Sequence, residues 1–391
     1  MESNKLVQET LKHFTDFYSE SPSFISIAPG RINIIGEHTD YNDGLAMPAA
    51  IDRYIFVAIA KNRSQLITAH STALEDTYSF NLGADIADKL WHKYVLGVVN
   101  ELNIKYNINS GLDILIHSNL DIGGGVSSSA ALELALINGI LHLFKIETSS
   151  SEKIDLCQRV EHNYVHIKSG TLDQSASLLS REGCLLVLDF QDNKYRYIDS
   201  NSQNTAWVLV DSMIKRKLAN SKYHERVLEC RQAIRQLKSR YKDICNFNNV
   251  DNNQLGYLMN INETGYKRAK HIINENIRVH KMEDAIMNQD IVEMGNILID
   301  SHLSLRDLYE VSCDEIDYLI DVSSDFKDWH GGRIMGGGFG GNTINLIKKN
   351  MENDYSDFIK KKYLDKFQIM PKIRTVNFSS GAKIIDNIKA F

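Results

Sequence analysis

A two-domain α+β protein is what this sequence predicts, on three observations: its size, its interleaved strand-like and helix-like runs, and a polar interruption near its middle. The chain has 391 residues, 43% of them hydrophobic, which is enough to bury a large core, and at about 100–200 residues per domain it divides into two. Short β-branched runs at 24–28, 54–61, 66–71, 112–117 and 184–190 read as strands, with helical segments between and after them. The polar stretch 191–203 has little aliphatic content and sets a boundary near 195. The expected domains are therefore 1–195 and 196–391.

Taken in order, the opening MESNKLVQETLKHF reads as an amphipathic helix; its early glutamate and lack of a long apolar core do not fit a secretory signal. Residues 130–144 are the longest nearly apolar run, but fifteen residues broken by Glu133, Asn138 and His142 fall short of the ~20 a membrane span needs. A buried core helix is expected there. Beyond the strand 206–210 the chain is helix-rich at 223–237, 256–276, 282–286 and 291–303, then turns to strands at 342–347 and 373–378. Ser312 and Glu315 have capping-box spacing and predict a helix start that runs on to Val322.

Forty-four basic against fifty acidic residues give a net charge of −6, which argues against a nucleic-acid protein needing a broad basic footprint. The five cysteines, at 157, 184, 230, 245 and 313, form neither a C-x-x-C pair nor a ligand-spaced cluster. Neither a disulfide framework nor a cysteine zinc site is indicated, and a cytoplasmic setting is expected.

Three segments carry chemistry. In Gly123-Gly124-Gly125-Val126-Ser127-Ser128-Ser129 a tight loop lies between a strand and a helix. Glycines allow close backbone approach, and a helix start offers unpaired amides and a positive dipole end, which suits phosphate. Ser129 can reach a Mg²⁺. The segment is neither a Walker loop nor a dinucleotide fingerprint, and the alternative is a flexible turn capped by serine. The second segment, Pro29 to Gly44, packs Arg31, Glu37, His38 and Asp40 close together. Arg31 offers a donor fork for phosphate, and the other three suit sugar hydroxyls; the alternative is an Asx-rich turn that caps its own backbone. A zinc centre there lacks ligand spacing. In the third, Glu161 to Gln174, Asp173 can face an attacking hydroxyl with Glu161 beside Mg²⁺, or can be a helix cap.

Two further features remain open. Trp91 and Tyr94 share a helix face and read more readily as core packing than as a platform for a flat base. The dense glycine run 331–341 feeds a strand and passes beside a ligand or another chain segment, or is a structural bend, with Arg333 possible as a solvated charge.

Three motifs in order, PGRINIIGEHTDY at 29–41, GGGVSSSAA at 123–131 and GGRIMGGGFGG at 331–341, resemble the small-metabolite kinase superfamily of galactokinase, homoserine, mevalonate and phosphomevalonate kinases, and specifically the galactokinase family. Shorter echoes lie at 169–174, 215–226 and 301–317. The resemblance implies a two-domain α+β kinase with its active site in the cleft between domains, the first carrying the sugar signature and phosphate loop and the second the later glycine-rich loop. It implies transfer of the γ-phosphate of ATP to the C1 hydroxyl of α-D-galactose, with Mg²⁺. An N-acetylgalactosamine or related sugar kinase and a non-catalytic galactose- and ATP-binding regulator are the alternatives.

By position-for-position match, Arg31 and Asp173 are the catalytic pair, and Glu37, His38, Asp40, Gly170 and Tyr223 contact the sugar. Gly123, Gly124, Gly125, Val126, Ser127, Ser128 and Ser129 wrap the phosphates, Ser129 and Glu161 hold Mg²⁺, and Trp91 and Tyr94 line the adenine side, which reverses the reading from spacing alone. Galactose and ATP are the expected partners, without nucleic acid or membrane, in a monomer or weak homodimer. Lys93, Ser169, Leu172, Lys215 and Asn342 depart from the family's usual residues.

Overall fold

The computed structural model describes residues 2–388 apart from 86, 122–124, 168, 201–202 and 216–218. Gly123 and Gly124 therefore lie outside the described residues. Two compact units are formed, and neither is continuous in sequence: the first is Met1–Arg31, Ala50–Glu182 and Ser379–Phe391, the second Ile32–Ala49 and Gly183–Phe378. A single cut at 195 does not describe this division. The polar stretch at the expected domain boundary, 191–203, contains the strand Lys194–Asp199, which forms a hairpin with Cys184–Asp189. That strand is at a sheet edge with mostly exposed side chains, so it lacks the apolar pattern by which a strand is recognised.

The first unit is built on a six-stranded sheet in the order Lys383–Ile385, Ile25–Asn33, Pro48–Lys61, Leu112–Ser118, Leu66–Ser71, Asp76–Asn81. Leu66–Ser71 runs parallel to Leu112–Ser118, and a parallel pair needs a long crossover; the strand Asp76–Asn81 and the helix Leu90–Tyr106 supply it. The amphipathic first helix, Glu2–Tyr18, lays Val7 and Phe14 into a cluster with Ile25, Ile27, Phe56, Ala58 and Leu115. The apolar run at 130–144 is the helix Ser128–Leu143, buried continuously from Ala130 to Leu141. It packs against Leu90–Tyr106, Ser150–Val160 and Leu172–Leu179, and a helix enclosed on all sides needs no polar face.

In the second unit an antiparallel sheet runs in the order Trp329–Met335, Gly340–Lys348, Thr205–Lys215, Lys372–Val376. A smaller sheet comprises Leu45–Ala46, Cys184–Asp189 and Lys194–Asp199. Val208, Val210, Leu237, Ile272, Leu305, Tyr309 and Tyr355 are among the core side chains that join the larger sheet to its helices.

Several local expectations change here. The runs 256–276 and 282–286 fall into Asn252–Ile261 and one long helix, Glu263–Met287. Asp251 caps the former in a reciprocal box with Gln254, and Asn262 caps the latter. The box expected at Ser312 and Glu315 does not form: Cys313 is the N-cap, without a side-chain bond, and the Ser312 hydroxyl donates to Asp317.

The second glycine run is also more structural than its density suggests. Its first half lies inside the strand Trp329–Met335, not in a loop that merely feeds one. A Cβ on Gly331 would sit 2.6 Å from the Gly295 Cα, so glycine at both positions lets the helix Ile291–Asp307 lie against this strand. Arg333, read as a possible solvated charge, is completely buried.

Candidate active site

In the first unit a charged cluster is assembled around Asp173. Arg31, near the end of Ile25–Asn33, donates through Nε to Asp173 Oδ1 at 2.7 Å, with Nη2 also 2.7 Å from that oxygen. Its Nη1 donates to the Gly125 carbonyl at 2.8 Å. The Ser127 hydroxyl donates to the other carboxylate oxygen, Oδ2, at 2.5 Å. Asp173 is in the first turn of Leu172–Leu179, but the N-cap residue is Thr171, so Asp173 is held from outside its helix and is not a cap.

The glycine–serine loop is pinned where it meets Arg31, whose amide donates to the Val126 carbonyl at 3.0 Å. Gly30 makes room for it, because a Cβ there would lie 2.8 Å from the Val126 carbonyl oxygen and closer still to Leu120. Ser127 adopts left-handed backbone and makes no side-chain cap on Ser128–Leu143. The simple serine-capped turn is thus excluded, and the helix opens with amides that no cap side chain occupies.

A cavity of about 380 Å³ adjoins this helix start, within the size range of ligand pockets. Leu74, Trp91, Tyr94, Ser128, Ser129 and Leu132 are among its lining residues, so the Trp91–Tyr94 pair is more than core packing. Trp91 Nε1 donates to Asp76 Oδ2 at 3.0 Å, and Lys89 and His92 meet the same oxygen. The Lys89 ammonium, then Trp91 and His92, hold the Asp76 carboxyl down at about 2.

Glu161 begins a π-helical turn, Glu161–Val165, at the end of Ser150–Val160. Its carboxylate accepts from the Ser169 hydroxyl, which gives the departure at Ser169 a definite contact. Ser129 is beside the Tyr94 phenol, and burial, followed by the nearby charges of Glu133 and Glu161, raises the Tyr94 pKa. A serine hydroxyl and a carboxylate are hard oxygen donors suited to Mg²⁺, which takes few protein ligands and completes its shell with phosphates and water. Among the described residues no group of three or more His, Cys, Asp or Glu is placed to hold a metal by itself.

Glu133 was noticed in the sequence only as a break in an apolar run. It is fully buried, neither carboxylate oxygen has a hydrogen-bond partner among the described residues at close geometry, and burial pushes its pKa well up, with Glu161 next in effect and Gln174 opposing them.

The second unit holds the Gly-Glu-His-Thr-Asp-Tyr loop. Its own backbone is braced by Thr39, which donates to the Gly36 and Leu45 carbonyls, and by Asn42, which donates to the His38 carbonyl. The turn-capping work therefore falls to Thr39 and Asn42 and leaves Glu37 and His38 for other partners. Arg333 donates through Nη1 to Glu37 Oε2 at 2.8 Å, through Nε to the Ile34 carbonyl and through Nη2 to the Asn33 carbonyl.

From the helix Glu263–Met287, Glu275 Oε1 accepts the Gly36 and Glu37 amides at 3.1 and 3.2 Å. Burial would raise its pKa, but Arg278, then His271 and Arg333, outweigh that and hold it at about 2. His271 Nε2 is 3.2 Å from the Glu37 carbonyl, and burial lowers its pKa to about 4, so the neutral ring donates there. Glu275, Arg333 and His271 were not identified from sequence as part of this loop's support. Nothing local marks a residue more than 230 positions away, except that an arginine inside a glycine run was a signal of close packing.

His38 has left-handed backbone, with its ring 5.6 Å from that of Tyr223 and 4.7 Å from that of Tyr309. Asp40 starts the short 3₁₀ turn Asp40–Asn42 and is half-buried. Arg31, Trp91, Tyr94, Ser127, Ser128, Ser129, Glu161, Gly170 and Asp173 thus belong to the first unit, and Glu37, His38, Asp40 and Tyr223 to the second. Leu172 is buried, and the side chain of Lys215 lies outside the description.

Residues 12–61 match the galactokinase galactose-binding signature, and residues 93–181 match the GHMP kinase N-terminal domain. The galactokinase of Thermotoga maritima is 34% identical over 360 residues, covering 92% of this chain and 99% of its own. That of Clostridium acetobutylicum is 31% identical over 382 residues, covering 95% and 97%. The crystal structure of Lactococcus lactis galactokinase complexed with galactose superposes with a TM-score of 0.90 at 28% identity, covering 96% and 99% of the two chains. Methanococcus jannaschii mevalonate kinase, at 20% identity and a TM-score of 0.64, shares the fold. With identities above 30% over more than nine-tenths of both chains, the chain belongs to the galactokinase family of the GHMP kinases.

Proposed function

We propose that this protein transfers the γ-phosphoryl group of ATP to the C1 hydroxyl of α-D-galactose, giving galactose 1-phosphate and ADP. The observation that carries this reading is the Asp173 carboxylate, held by Arg31 on one oxygen and Ser127 on the other, beside a helix start with no side-chain cap. Glu37, His38, Asp40, Gly170 and Tyr223 are assigned to sugar recognition. The loop from Gly123 through Val126 to Ser129 is assigned to the phosphates, and Trp91 and Tyr94 to the base.

A free aspartate has a pKa near ~3.9, and a sugar hydroxyl is a far weaker acid. Asp173 therefore does not generate an alkoxide beforehand. In a loose phosphoryl-transfer transition state the hydroxyl becomes acidic only as its bond to phosphorus forms, and Asp173 aligns it and takes the proton then. Arg31, bonded to Oδ1, orients that carboxylate and offsets charge on the migrating group. Ser127, by donating to Oδ2, leaves Asp173 little freedom to turn away. Mg²⁺, when bound, neutralises phosphate charge, and Ser129 with Glu161 would hold it.

The test is a panel of galactose, N-acetylgalactosamine, glucose and mevalonate with Mg²⁺-ATP, read as phosphorylated product. Galactose 1-phosphate is expected as the main product. Preferential phosphorylation of another acceptor, or binding of galactose and ATP without turnover, overturns the reading.

A further inference from the structure

We infer that a buried hydrogen-bond relay, Cys230 to Tyr309 to Tyr41, fixes the ring tautomer of His38 so that Nε2 carries the proton and His38 meets the sugar as a donor. The use made of this proton rests on the sugar-binding role proposed above for His38; the tautomer itself does not. His38 Nδ1 is 2.7 Å from the Tyr41 hydroxyl, which is 3.0 Å from the Tyr309 hydroxyl, and that in turn is 3.1 Å from Cys230 Sγ. His38, Tyr309 and Cys230 are buried. The other ring nitrogen, Nε2, is itself buried and has no hydrogen-bond partner among the described residues, an arrangement that costs free energy unless a ligand supplies one.

The polarity follows from counting hydrogens. Each phenol and the thiol has one hydrogen to give. An imidazole nitrogen is the best acceptor in the run and a phenol the best donor, so Tyr41 donates to Nδ1. The Tyr41 oxygen is then free to accept from Tyr309, and the Tyr309 oxygen accepts from the Cys230 thiol. In this polarity the only hydrogen left unused is the one on Nε2. The reverse polarity would place a weaker imidazole-to-phenol bond at one end and terminate on a thiol sulfur, a poor acceptor.

Two further features hold the arrangement. Burial, and after it the neighbouring His271, lower the His38 pKa to about 3, so the ring is neutral and has a single proton to place. The Asn42 amide donates to the His38 carbonyl at 2.8 Å, which fixes the left-handed backbone and with it the ring's departure direction.

A donor at Nε2 makes a specific demand on the sugar. The hydroxyl that meets it must accept, and fluorine, which accepts weakly and never donates, replaces that hydroxyl better than hydrogen does.

Two measurements test this on the full chain. In the sugar-free protein labelled with ¹⁵N-histidine, with the His38 signals identified by difference against His38→Gln, Nδ1 is expected at an unprotonated shift and Nε2 at a protonated one at pH 7. In Tyr41→Phe this preference is expected to weaken, with smaller shifts in Tyr309→Phe and Cys230→Ser. A protonated Nδ1 in the wild type, or a pattern unchanged in all three variants, overturns the proposal.

The second measurement compares binding of deoxy- and deoxyfluoro-galactoses. At one ring position the fluoro sugar is expected to bind about fivefold tighter than the deoxy sugar, the scale of a single hydrogen bond, with the gap narrowing in Tyr309→Phe. Equal affinities at every position overturn the donor assignment. Failure of any galactose to bind overturns the proposed function and leaves the tautomer to be decided by the sugar-free spectra.

Discussion

Both oxygens of Asp173 have defined partners: Arg31 on Oδ1 and Ser127 on Oδ2, at 2.7 and 2.5 Å. In Asp173→Asn the side-chain oxygen still accepts from Arg31, while the amide nitrogen faces Ser127, whose hydroxyl turns to accept. The shape of the cluster survives and the proposed proton acceptor is lost. Turnover is expected to fall ~10²-fold or more, the scale of general-base assistance, while galactose affinity changes little. Steady-state kinetics with calorimetric sugar binding checks this, and near-normal turnover removes Asp173 from its role. Both residues of this pair were legible in the sequence, through the signature and the Ser-Gly-Thr-Leu-Asp-Gln echo. Their pairing came only through the family resemblance and not from spacing, because 142 positions separate them and only the fold brings them together. The same holds for the support of Glu37: the side chain proposed to bind sugar stands in a sequence motif, whereas Glu275 and Arg333 owe their contacts to a helix and a strand that return from far along the chain.

At the scale of elements, long patterned segments were readable and weakly patterned ones were not. The buried helix Ser128–Leu143 followed from its apolar run, whereas the edge strand Lys194–Asp199, exposed along most of its length, lies within the polar stretch at the expected domain boundary. The buried helix also carries the clearest internal conflict, Glu133, enclosed with no hydrogen-bond partner for either oxygen among the described residues. Burial raises its folded-state pKa well above the unfolded value. Below the unfolded pKa, near ~4.3, the carboxyl is neutral in both states and the burial is tolerated; as pH rises above that, the unfolded chain releases the proton more readily and stability is lost. Glu133→Gln removes the titration and keeps the shape. In the ligand-free protein, thermal melts are expected to show the variant more stable than wild type at pH 8, with the gap closing toward pH 4. A gap that does not vary with pH shows that Glu133 is not held neutral.

Across the whole molecule, the chain's end returns to its beginning. Lys383–Ile385 pairs with residues 25–27 of the strand that carries Arg31. On the way, the Ser379 amide donates to the Ala50 carbonyl, Gly381 to Ser180 and Ala382 to Ser177. Ser177 lies in the Asp173 helix, Leu172–Leu179, and its hydroxyl donates to the Pro29 carbonyl at 2.6 Å. Residues 379–385 thus bind the helix bearing Asp173 to the sheet bearing Arg31, so the last stretch of chain bears on the geometry of the Arg31–Asp173 pair without touching either side chain. Each backbone bond is worth about 1 kcal/mol net, and the paired strand adds its side-chain packing. Removing residues 379–391 is expected to lower the melting temperature by several degrees and reduce turnover more than it weakens galactose binding. In hydrogen exchange, protection should fall at 25–31 and 172–180 while the sheet of Trp329–Met335 and Gly340–Lys348 in the second unit keeps its rates. Uniform loss of protection across both units would mean that the segment supports the molecule as a whole, and unchanged rates at 172–180 would show that it does not hold the Asp173 helix.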